Sequence, residues 1–381
     1  MRVDKKSSFC KERFFSYVLG LIMCDKRKNC VQISKTLNKA HDWIYKFFCV
    51  ENKIEKACCM MMDKIVCKMS KIRSGVLILD DSSICKLYAR LIEGVYFLYN
   101  VSTRQETRGL TVIVIVWSNG LFTIPLRFQW LFNKKIVGIE NYKSKSEIAK
   151  ELVLKVKNKV PFDRILVDGH YTTIEFMNFL TLTGIKFVGK IARNKNIITQ
   201  NGEKNQIKNH SKLKLSRNEK SKVISAEFRK TNLLFSVHKR KNRKGDFTLT
   251  YVVSNINAKG HPKIYLEMYK QRWAIEVMFR TIKQSLGLQD CSCRSIEKQS
   301  MHVWAVLAGY GFLQYIRYCN SFETPEKSIL FLRAIGLKKS NLLFMSKFGS
   351  FENGYNHVPP PKTNFPMSSI SPATQNFQRG A

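Results

Sequence analysis

Apolar and polar positions change their spacing along the chain, and these changes divide it into segments. Residues 1–70 mix apolar and basic positions at helical spacing without any proline, which predicts helices. Within them, residues 31–37 and 41–48 are two short amphipathic runs joined by a tight turn. This pattern is typical of a helix-turn-helix, whose second helix enters the major groove of DNA. A plain helical hairpin has the same pattern, so both interpretations stay open.

From residue 75 onward, short apolar runs alternate with amphipathic stretches. The apolar runs predict strands at residues 76–80, 94–100, 110–117, 122–128, 164–168, 186–190, 223–228, 233–238 and 246–254. The amphipathic stretches predict helices at residues 144–157, 173–182, 262–288 and 300–347. This alternation favours a mixed α/β core.

Four regions follow from this reading of the chain. Residues 1–70 form a helical region with a possible helix-turn-helix, and residues 71–310 form an α/β domain with a β-rich insertion at about 190–245. Residues 311–353 form a C-terminal helical region. Residues 354–381 contain three consecutive prolines and many Ser and Asn, which predicts a disordered tail.

The charge of the chain points to a polyanionic partner. Its 65 Lys and Arg against 28 Asp and Glu give a formal net charge of +37, which favours nucleic acid ahead of an anionic membrane surface. The Lys bias of an AT-rich genome explains part of this excess of basic residues but not their clustering. The insertion carries the densest cluster, ending in Lys239, Arg240 and Lys241, and we expect it to lie along DNA phosphates. A solvated, lysine-rich surface is the alternative.

Membrane insertion and disulfide bonding are both disfavoured by the sequence. The longest apolar runs fall far short of the roughly 20 residues that a membrane span needs. The eleven cysteines are odd in number and include no CxxC pair, and Cys291-x-Cys293 has no partner motif that would suggest a metal site. We therefore expect reduced thiols in a cytoplasmic protein.

Three acidic positions stand where a metal-dependent reaction would need them. Asp80, or its neighbour Asp81, ends one apolar run, Asp168 ends another, and Glu276 lies on the helix predicted at 262–288. A carboxylate in such a place is costly unless it is paired or binds a metal. Two strands and a helix can bring three carboxylates together as ligands for Mg²⁺ or Mn²⁺. Taken singly, each acid could be a helix cap, a turn residue or half of a surface ion pair.

The helix around Glu276 places charged and aromatic residues on one face. Tyr269, Arg272, Glu276, Arg280 and Lys283 follow one another at spacings of 3, 4, 4 and 3 residues, whereas the apolar positions lie on a different face. Such a face can bind a metal through Glu276 while its basic residues hold phosphates. An exposed face stabilised by ion pairs has the same spacing.

These residues match a known signature. Tyr269, Arg272, Glu276 and Lys283 fit the pattern Y-x2-R-x3-E-x6-K, which resembles the signature of bacterial insertion-sequence DDE transposases of the fourth insertion-sequence family. The segment from Asp80 to Ser83, with Lys86 and residues 92–95, resembles that family's first Asp motif. Residues 167–171, around Asp168, resemble its second. The resemblance covers about residues 30 to 310.

The resemblance implies a ribonuclease-H-like core that cleaves DNA and transfers strands. The resemblance implies that two divalent ions are bound by Asp80, Asp168 and Glu276. It also implies that phosphates at the transposon end are contacted by Tyr269, Arg272 and Lys283, and Arg280 lies beside them on the same helix. It also implies double-stranded DNA as transposon end and target, a homodimer that pairs two ends, and a bacterial, nucleoid-associated protein.

Several points stay open at this level. Asp80 and Asp81 are both available as the first ligand. Some relatives stack a flipped base on an aromatic of the insertion, for which this chain offers only Phe228 and Phe235, so a DNA hairpin intermediate is undecided. An inactive transposase-derived DNA-binding protein, a nuclease that does not join ends, and a basic RNA-binding protein are alternative functions.

Overall fold

The computed structural model describes residues 5–49, 53–100, 105–199, 202–241, 245–258 and 261–348. The predicted tail, residues 354–381, lies outside them. Eleven α-helices occur within the described ranges: α1 (Lys5–Met23), α2 (Cys30–Leu37), α3 (His41–Tyr45), α4 (Lys53–Met69), α5 (Lys134–Val137), α6 (Lys145–Val156), α7 (Ile174–Leu182), α8 (Lys263–Lys270), α9 (Trp273–Gln284), α10 (Ile296–Asn320) and α11 (Pro325–Phe348).

The strands of the described residues belong to one mixed sheet. They are β1 (Val76–Cys85), β2 (Tyr96–Asn100), β3 (Gln105–Ser118), β4 (Thr123–Leu131), β5 (Ile165–Val167), β6 (Phe187–Lys190), β7 (Asn196–Ile198), β8 (Lys204–Gln206), β9 (Ser221–Phe228), β10 (Thr231–Lys241) and β11 (Phe247–Ser254). Their order is β2-β3-β1-β5-β6-β11-β10-β9-β7-β8, and β4 also pairs with β3. The mixed α/β class predicted from the sequence is therefore confirmed.

The centre of this sheet is β3, β1 and β5. Strand β1 runs antiparallel to β3 and parallel to β5, and β5 runs parallel to β6. Residues 110–118 of β3 are buried at every position, which is typical of a strand covered on both faces. Helices α6 and α7 supply the crossovers before β5 and β6. The apolar runs predicted at residues 76–80 and 164–168 thus correspond to interior strands that carry Asp80 and deliver Asp168.

The β-rich insertion is a continuation of this sheet. Strands β7 to β10 lie between β6 and β11 in sequence, and β11 returns to pair with β6. Strand β10 is paired with β11 along eight residues and with β9 along another eight. The insertion thus extends the central sheet by hydrogen-bonded strands.

Two of the elements that differ from their predicted form carry site residues. Strand β1 does not end at Asp80 but continues to Cys85, because β3 offers pairing partners along its whole length. The helix predicted over residues 262–288 is two helices, which meet at Gln271 and Arg272. There the backbone bonds from Arg272 to Tyr269 and from Ile275 to Arg272 span three residues, so the junction is wound as tightly as a 3₁₀ helix.

The N-terminal and C-terminal helices pack together beside the sheet. Helix α1 contacts both α10 and α11, and α4 contacts α10 and β4. The fully buried Tyr17 of α1 shares a hydrogen bond of 2.8 Å with Nδ1 of His302 on α10, and Nε2 of His302 lies 2.9 Å from the Gly287 carbonyl oxygen. None of the helices in the described ranges has the length and apolarity that crossing a membrane requires.

Candidate active site

Asp80 lies in the middle of β1, on the side of the strand that faces α9. Its Oδ2 accepts a hydrogen bond of 2.5 Å from Nη1 of Arg272, and its Oδ1 accepts the Asp81 backbone N–H at 3.0 Å. Burial raises the pKa of the Asp80 carboxyl to about 7, although Arg272 acts in the opposite direction. The neighbouring acids Asp81 and Asp168 add to this rise. Asp80 is thus a largely buried carboxylate, and its pairing with Arg272 only partly offsets the effect of burial on its pKa.

Asp81 points to the opposite side of the strand, as successive β residues do. Both of its carboxylate oxygens accept from Lys145 Nζ, at 2.9 and 3.0 Å. The hydroxyl of Tyr171, which is fully buried, donates to Asp81 Oδ1 at 2.9 Å. Ser144 and Glu147 form a capping box that begins α6, and Lys145 is the first residue of that helix. Asp81 therefore ties β1 to α6 and to the loop after β5.

Asp168 directly follows β5, which runs parallel to β1, so the chain delivers it beside Asp80. The hydroxyl of Tyr269 donates to Asp168 Oδ1 at 3.0 Å. Burial alone would raise the pKa of Asp168, but the Gly169 backbone N–H, Arg272 and Tyr269 lower it more, and the net shift is downward. Asp168 is thus held in its charged form.

Arg272 lies at the centre of the three acids. It donates through Nη1 to Asp80 and through Nη2 to Oε1 of Glu276, one turn further along α9. Asp168 also interacts electrostatically with this guanidinium. The side chain of Arg272 is only 14% exposed, and its charge centre lies 5.8 Å from the centre of the Tyr269 ring. The structure therefore brings Asp80, Asp168, Glu276, Tyr269 and Arg272 into one cluster.

The donor chemistry of this cluster fits a divalent cation. Asp80, Asp168 and Glu276 supply carboxylate oxygens, the ligands that Mg²⁺ and Mn²⁺ prefer, and the buried Asp80 lacks the positive charge that such an ion brings. In the present arrangement, however, the described residues include no group of three or more His, Cys, Asp or Glu that is spaced to hold a metal. Arg272 stands between two of the oxygens, so their use by an ion requires this side chain to move.

Five further residues were predicted as DNA contacts: two lie on α9, and the other three lie on β10, away from the acid cluster. Lys283 is half-buried on α9, and burial lowers its pKa, while Arg280 is exposed on the same helix. Lys239, Arg240 and Lys241 end β10, which is four strands from β1 in the sheet, a separation of about 19 Å. They form a second basic surface.

Two aromatic residues that the sequence offered for base stacking are part of the core. Phe228 is 6% exposed and Phe235 is 1% exposed, so neither ring can stack on a flipped base as placed. His170 is exposed, whereas Tyr171 is buried and bonds Asp81 rather than Asp168.

Two residues near the acids were not identified from the sequence. Lys145 pairs with Asp81 across 64 residues of chain, and no local pattern signals such a contact. Trp273 is 60% exposed beside Arg272, although an aromatic next to a predicted site arginine could have been noticed.

A cavity of about 570 Å³ lies between the start of α7 and the insertion, rather than over the acids. Its lining residues come from the segment after Asp168 and from the insertion, and they include Thr172, Glu175, Lys195 and Arg229. Basic and acidic groups are mixed there. The carboxylates of the acid cluster are partly exposed, with 17% of the Asp80 side chain and 34% of the Glu276 side chain accessible to solvent.

Comparisons with known proteins identify the family and the fold of the chain. The chain matches the family described as DDE superfamily endonuclease over residues 11–213, and the family described as transposase DDE domain over residues 137–312. No curated protein matches it in sequence. The cryo-EM structure of a piggyBac transposase synaptic complex with hairpin DNA is similar to it in fold, with a TM-score of 0.52 and 12% sequence identity, over 92% of this chain and 74% of that chain. This likeness is consistent with the ribonuclease-H-like fold that was expected.

Proposed function

Because the chain belongs to the DDE superfamily endonuclease family, we propose that it is a transposase of an insertion sequence, which cleaves DNA at the ends of the element and joins the freed 3′ ends to target DNA. The main support is the meeting of Asp80, Asp168 and Glu276 around Arg272. These acids come from two parallel strands and a helix that are far apart in sequence. The order and spacing of the motifs support a bacterial insertion-sequence transposase in particular.

Members of this superfamily depend on divalent metal, and Asp80, Asp168 and Glu276 are the residues that would hold it here, as two ions of Mg²⁺ or Mn²⁺. Such ions, when bound, activate the attacking water or 3′ hydroxyl and stabilise the leaving oxygen of an in-line displacement. Tyr269 orients Asp168 through its 3.0 Å hydrogen bond. Asp81 would instead hold β1 against α6 through its ion pair with Lys145 and would not be a ligand of the metal ions.

The basic residues of α8 and α9 would bind the phosphates of the transposon end. Arg272 has the planar fork that holds phosphate through two hydrogen bonds. Lys283 and Arg280 follow Glu276 on α9, about 10 and 6 Å further along the helix axis. Each of these distances suits a contact with a phosphate beside the one that is cleaved.

Further DNA contacts would come from two other surfaces. One is the end of β10 with Lys239, Arg240 and Lys241, where the ammonium groups of Lys239 and Lys241 lie 4.4 and 5.6 Å from the ring centre of the exposed Phe247. The other is the predicted helix-turn-helix, where α2 ends at Leu37, Asn38 adopts the left-handed conformation and α3 begins at His41. We also propose that two copies of the chain pair two DNA ends.

The test is a cleavage and strand-transfer assay on DNA that carries the flanking ends of the element, with Mg²⁺ or Mn²⁺. Glu276→Gln keeps the shape of the ligand and removes its charge, so we expect nicking and joining to disappear. Glu267→Gln on α8 is the matched control, because the ion pair that Glu267 makes within the described residues is with the exposed Lys270, at 2.8 Å. The control variant should retain the activity of the unmodified chain.

The alternative functions give different results in the same assay. Cutting without joining would indicate a nuclease. Salt-sensitive DNA binding without cutting under either metal would indicate a transposase-derived DNA-binding protein, and preferential binding of RNA would contradict the proposal altogether. Equal activity in the Glu276→Gln variant would exclude the assigned acid cluster.

A further inference from the structure

We propose that Arg272 is the counter-ion of the acid cluster until DNA arrives, so that a divalent metal binds tightly only after a DNA phosphate has drawn this side chain away from the acids. The inference rests on the proposed function, since it concerns the order in which the same site takes up DNA and metal. It follows from the contacts of one guanidinium.

The first observation is that Arg272 already uses the oxygens that a metal would need. Its Nη1 is 2.5 Å from Oδ2 of Asp80, and its Nη2 donates to Oε1 of Glu276. Both acids are only partly exposed, at 17% and 34% of their side chains. A cation that bridges these two carboxylates therefore competes directly with Arg272 for the same lone pairs.

The second observation is that Arg272 is held on a third side as well. The Tyr269 ring centre lies 5.8 Å from its charge centre, and the hydroxyl of that ring is engaged with Asp168. Because a guanidinium stays protonated in proteins, Arg272 can give up the acids only by moving. Movement requires another anion of suitable shape, since the charge would otherwise be left unpaired.

A DNA phosphate is the anion that meets this need. Its two oxygens match the arginine fork as a carboxylate does. Arg280 and Lys283 lie on the same helix as Glu276, and both side chains are accessible to solvent, because Arg280 is exposed and Lys283 is half-buried. They would therefore attract the DNA backbone to the acid cluster. Once Arg272 contacts phosphate, the charges of Asp80 and Glu276 are free for a metal ion, and each ligand then strengthens the binding of the other.

The experiment measures Mn²⁺ affinity of the full chain by electron paramagnetic resonance, without DNA and with a short duplex of the transposon end at low temperature. For the unmodified chain we expect weak Mn²⁺ binding that DNA strengthens about tenfold or more, the usual range of such coupling. Arg272→Met should bind Mn²⁺ about tenfold more tightly than the unmodified chain without DNA, and should lose most of the DNA effect.

Arg73→Met is the matched control. Arg73 is an exposed arginine ahead of β1, and in the described part of the chain Asp80 and Glu276 pair with Arg272 instead, so the DNA-free Mn²⁺ affinity of this variant should equal that of the unmodified chain. Arg272→Lys tests the same point without loss of charge, because one ammonium cannot hold both carboxylates in the geometry of the fork. We expect its DNA-free affinity to be intermediate, which keeps the proposal testable if Arg272→Met does not fold.

Each outcome separates this inference from the proposed function. If the unmodified chain binds Mn²⁺ equally well with and without DNA, and neither Arg272 variant binds it more tightly, the counter-ion role is wrong while the metal site stands. If no form of the chain binds Mn²⁺ under either condition, the metal site itself is wrong and both proposals fall.

Discussion

The neighbouring acids Asp80 and Asp81 should respond in opposite ways to substitution. Asp80 faces Arg272 and the other acids, whereas Asp81 faces Lys145 and Tyr171. We expect Asp80→Asn to abolish Mn²⁺ binding in the presence of end DNA while the fold keeps its stability. We expect Asp81→Ala to keep Mn²⁺ binding and to lower the free energy of unfolding.

The size of the second effect follows from the partners of Asp81. Tyr171 is fully buried, and a buried hydroxyl that loses its acceptor costs about 1–3 kcal/mol. The Lys145 pair is partly exposed, at 31% and 22% of the two side chains, and adds at most about 1 kcal/mol. Asp81→Ala should therefore lower the free energy of unfolding by about 1–4 kcal/mol.

Asp80→Asn should behave differently because the charge of Asp80 is itself unfavourable in the fold. Burial raises the pKa of this carboxyl to about 7, above its value in the unfolded chain, so its ionised form opposes folding at neutral pH. An uncharged amide of the same shape removes that opposition. The free energy of unfolding should stay within about 1 kcal/mol of the unmodified chain or rise.

Urea denaturation gives both free energies, and a double-mutant cycle with Tyr171→Phe isolates the hydrogen bond. Asp81→Ala and Tyr171→Phe should be non-additive by about 1 kcal/mol, because each removes one partner of the same bond. The reasoning is refuted if Asp81→Ala loses Mn²⁺ binding while Asp80→Asn keeps it. Additive effects of Asp81→Ala and Tyr171→Phe would contradict the assigned contact.

Three further predictions concern stability and DNA binding. Burial lowers the pKa of His302 to about 4. The contribution of the neutral ring to the free energy of unfolding is therefore fully present above about pH 6.5, the pKa of His in the unfolded chain, and is lost as the pH falls towards 4. Between pH 7 and pH 5 the unmodified chain should lose about 2 kcal/mol more in urea denaturation than His302→Gln does, and equal losses would contradict this. Trp273→Ala should weaken binding of end DNA about tenfold in fluorescence anisotropy, since an exposed aromatic can stack on a base, whereas Trp273→Phe should retain most of the affinity; an unchanged Trp273→Ala would exclude the contact. Gly75→Ala should lower the free energy of unfolding by about 1–3 kcal/mol, because its Cβ would lie 2.2 Å from the Trp117 ring, and an unchanged urea midpoint would show that the ring can move.

The interior strands and the charged face of α9 were predictable because each is encoded locally. Strand β3 is a continuous apolar run, and the buried Ile275, Met278 and Ile282 recur at helical spacing. The spacing of Arg272 and Glu276 is likewise sufficient to place both on one side of the helix. Such patterns depend only on neighbours within a few residues.

Local sequence patterns could not predict that Asp80 faces Arg272 while Asp81 faces Lys145 and Tyr171. Strand geometry implies that they face opposite sides, but which side meets α9 depends on where the chain crosses between β4, β5 and β6. The break at Gln271 was missed because both residues of the junction keep helical dihedral angles. Only the shift to three-residue hydrogen bonds reveals it.

The shared strand β11 has a mechanical consequence. It is hydrogen-bonded to β6 on one edge and to β10 on the other. The basic insertion and the strands that carry the acids therefore belong to one continuous sheet rather than to two separate domains. A change in the relative position of the two surfaces would therefore have to distort the hydrogen bonds of β11. We therefore expect DNA that spans both surfaces to adapt its own curvature to the protein, and its stiffness would then contribute to the choice of sites.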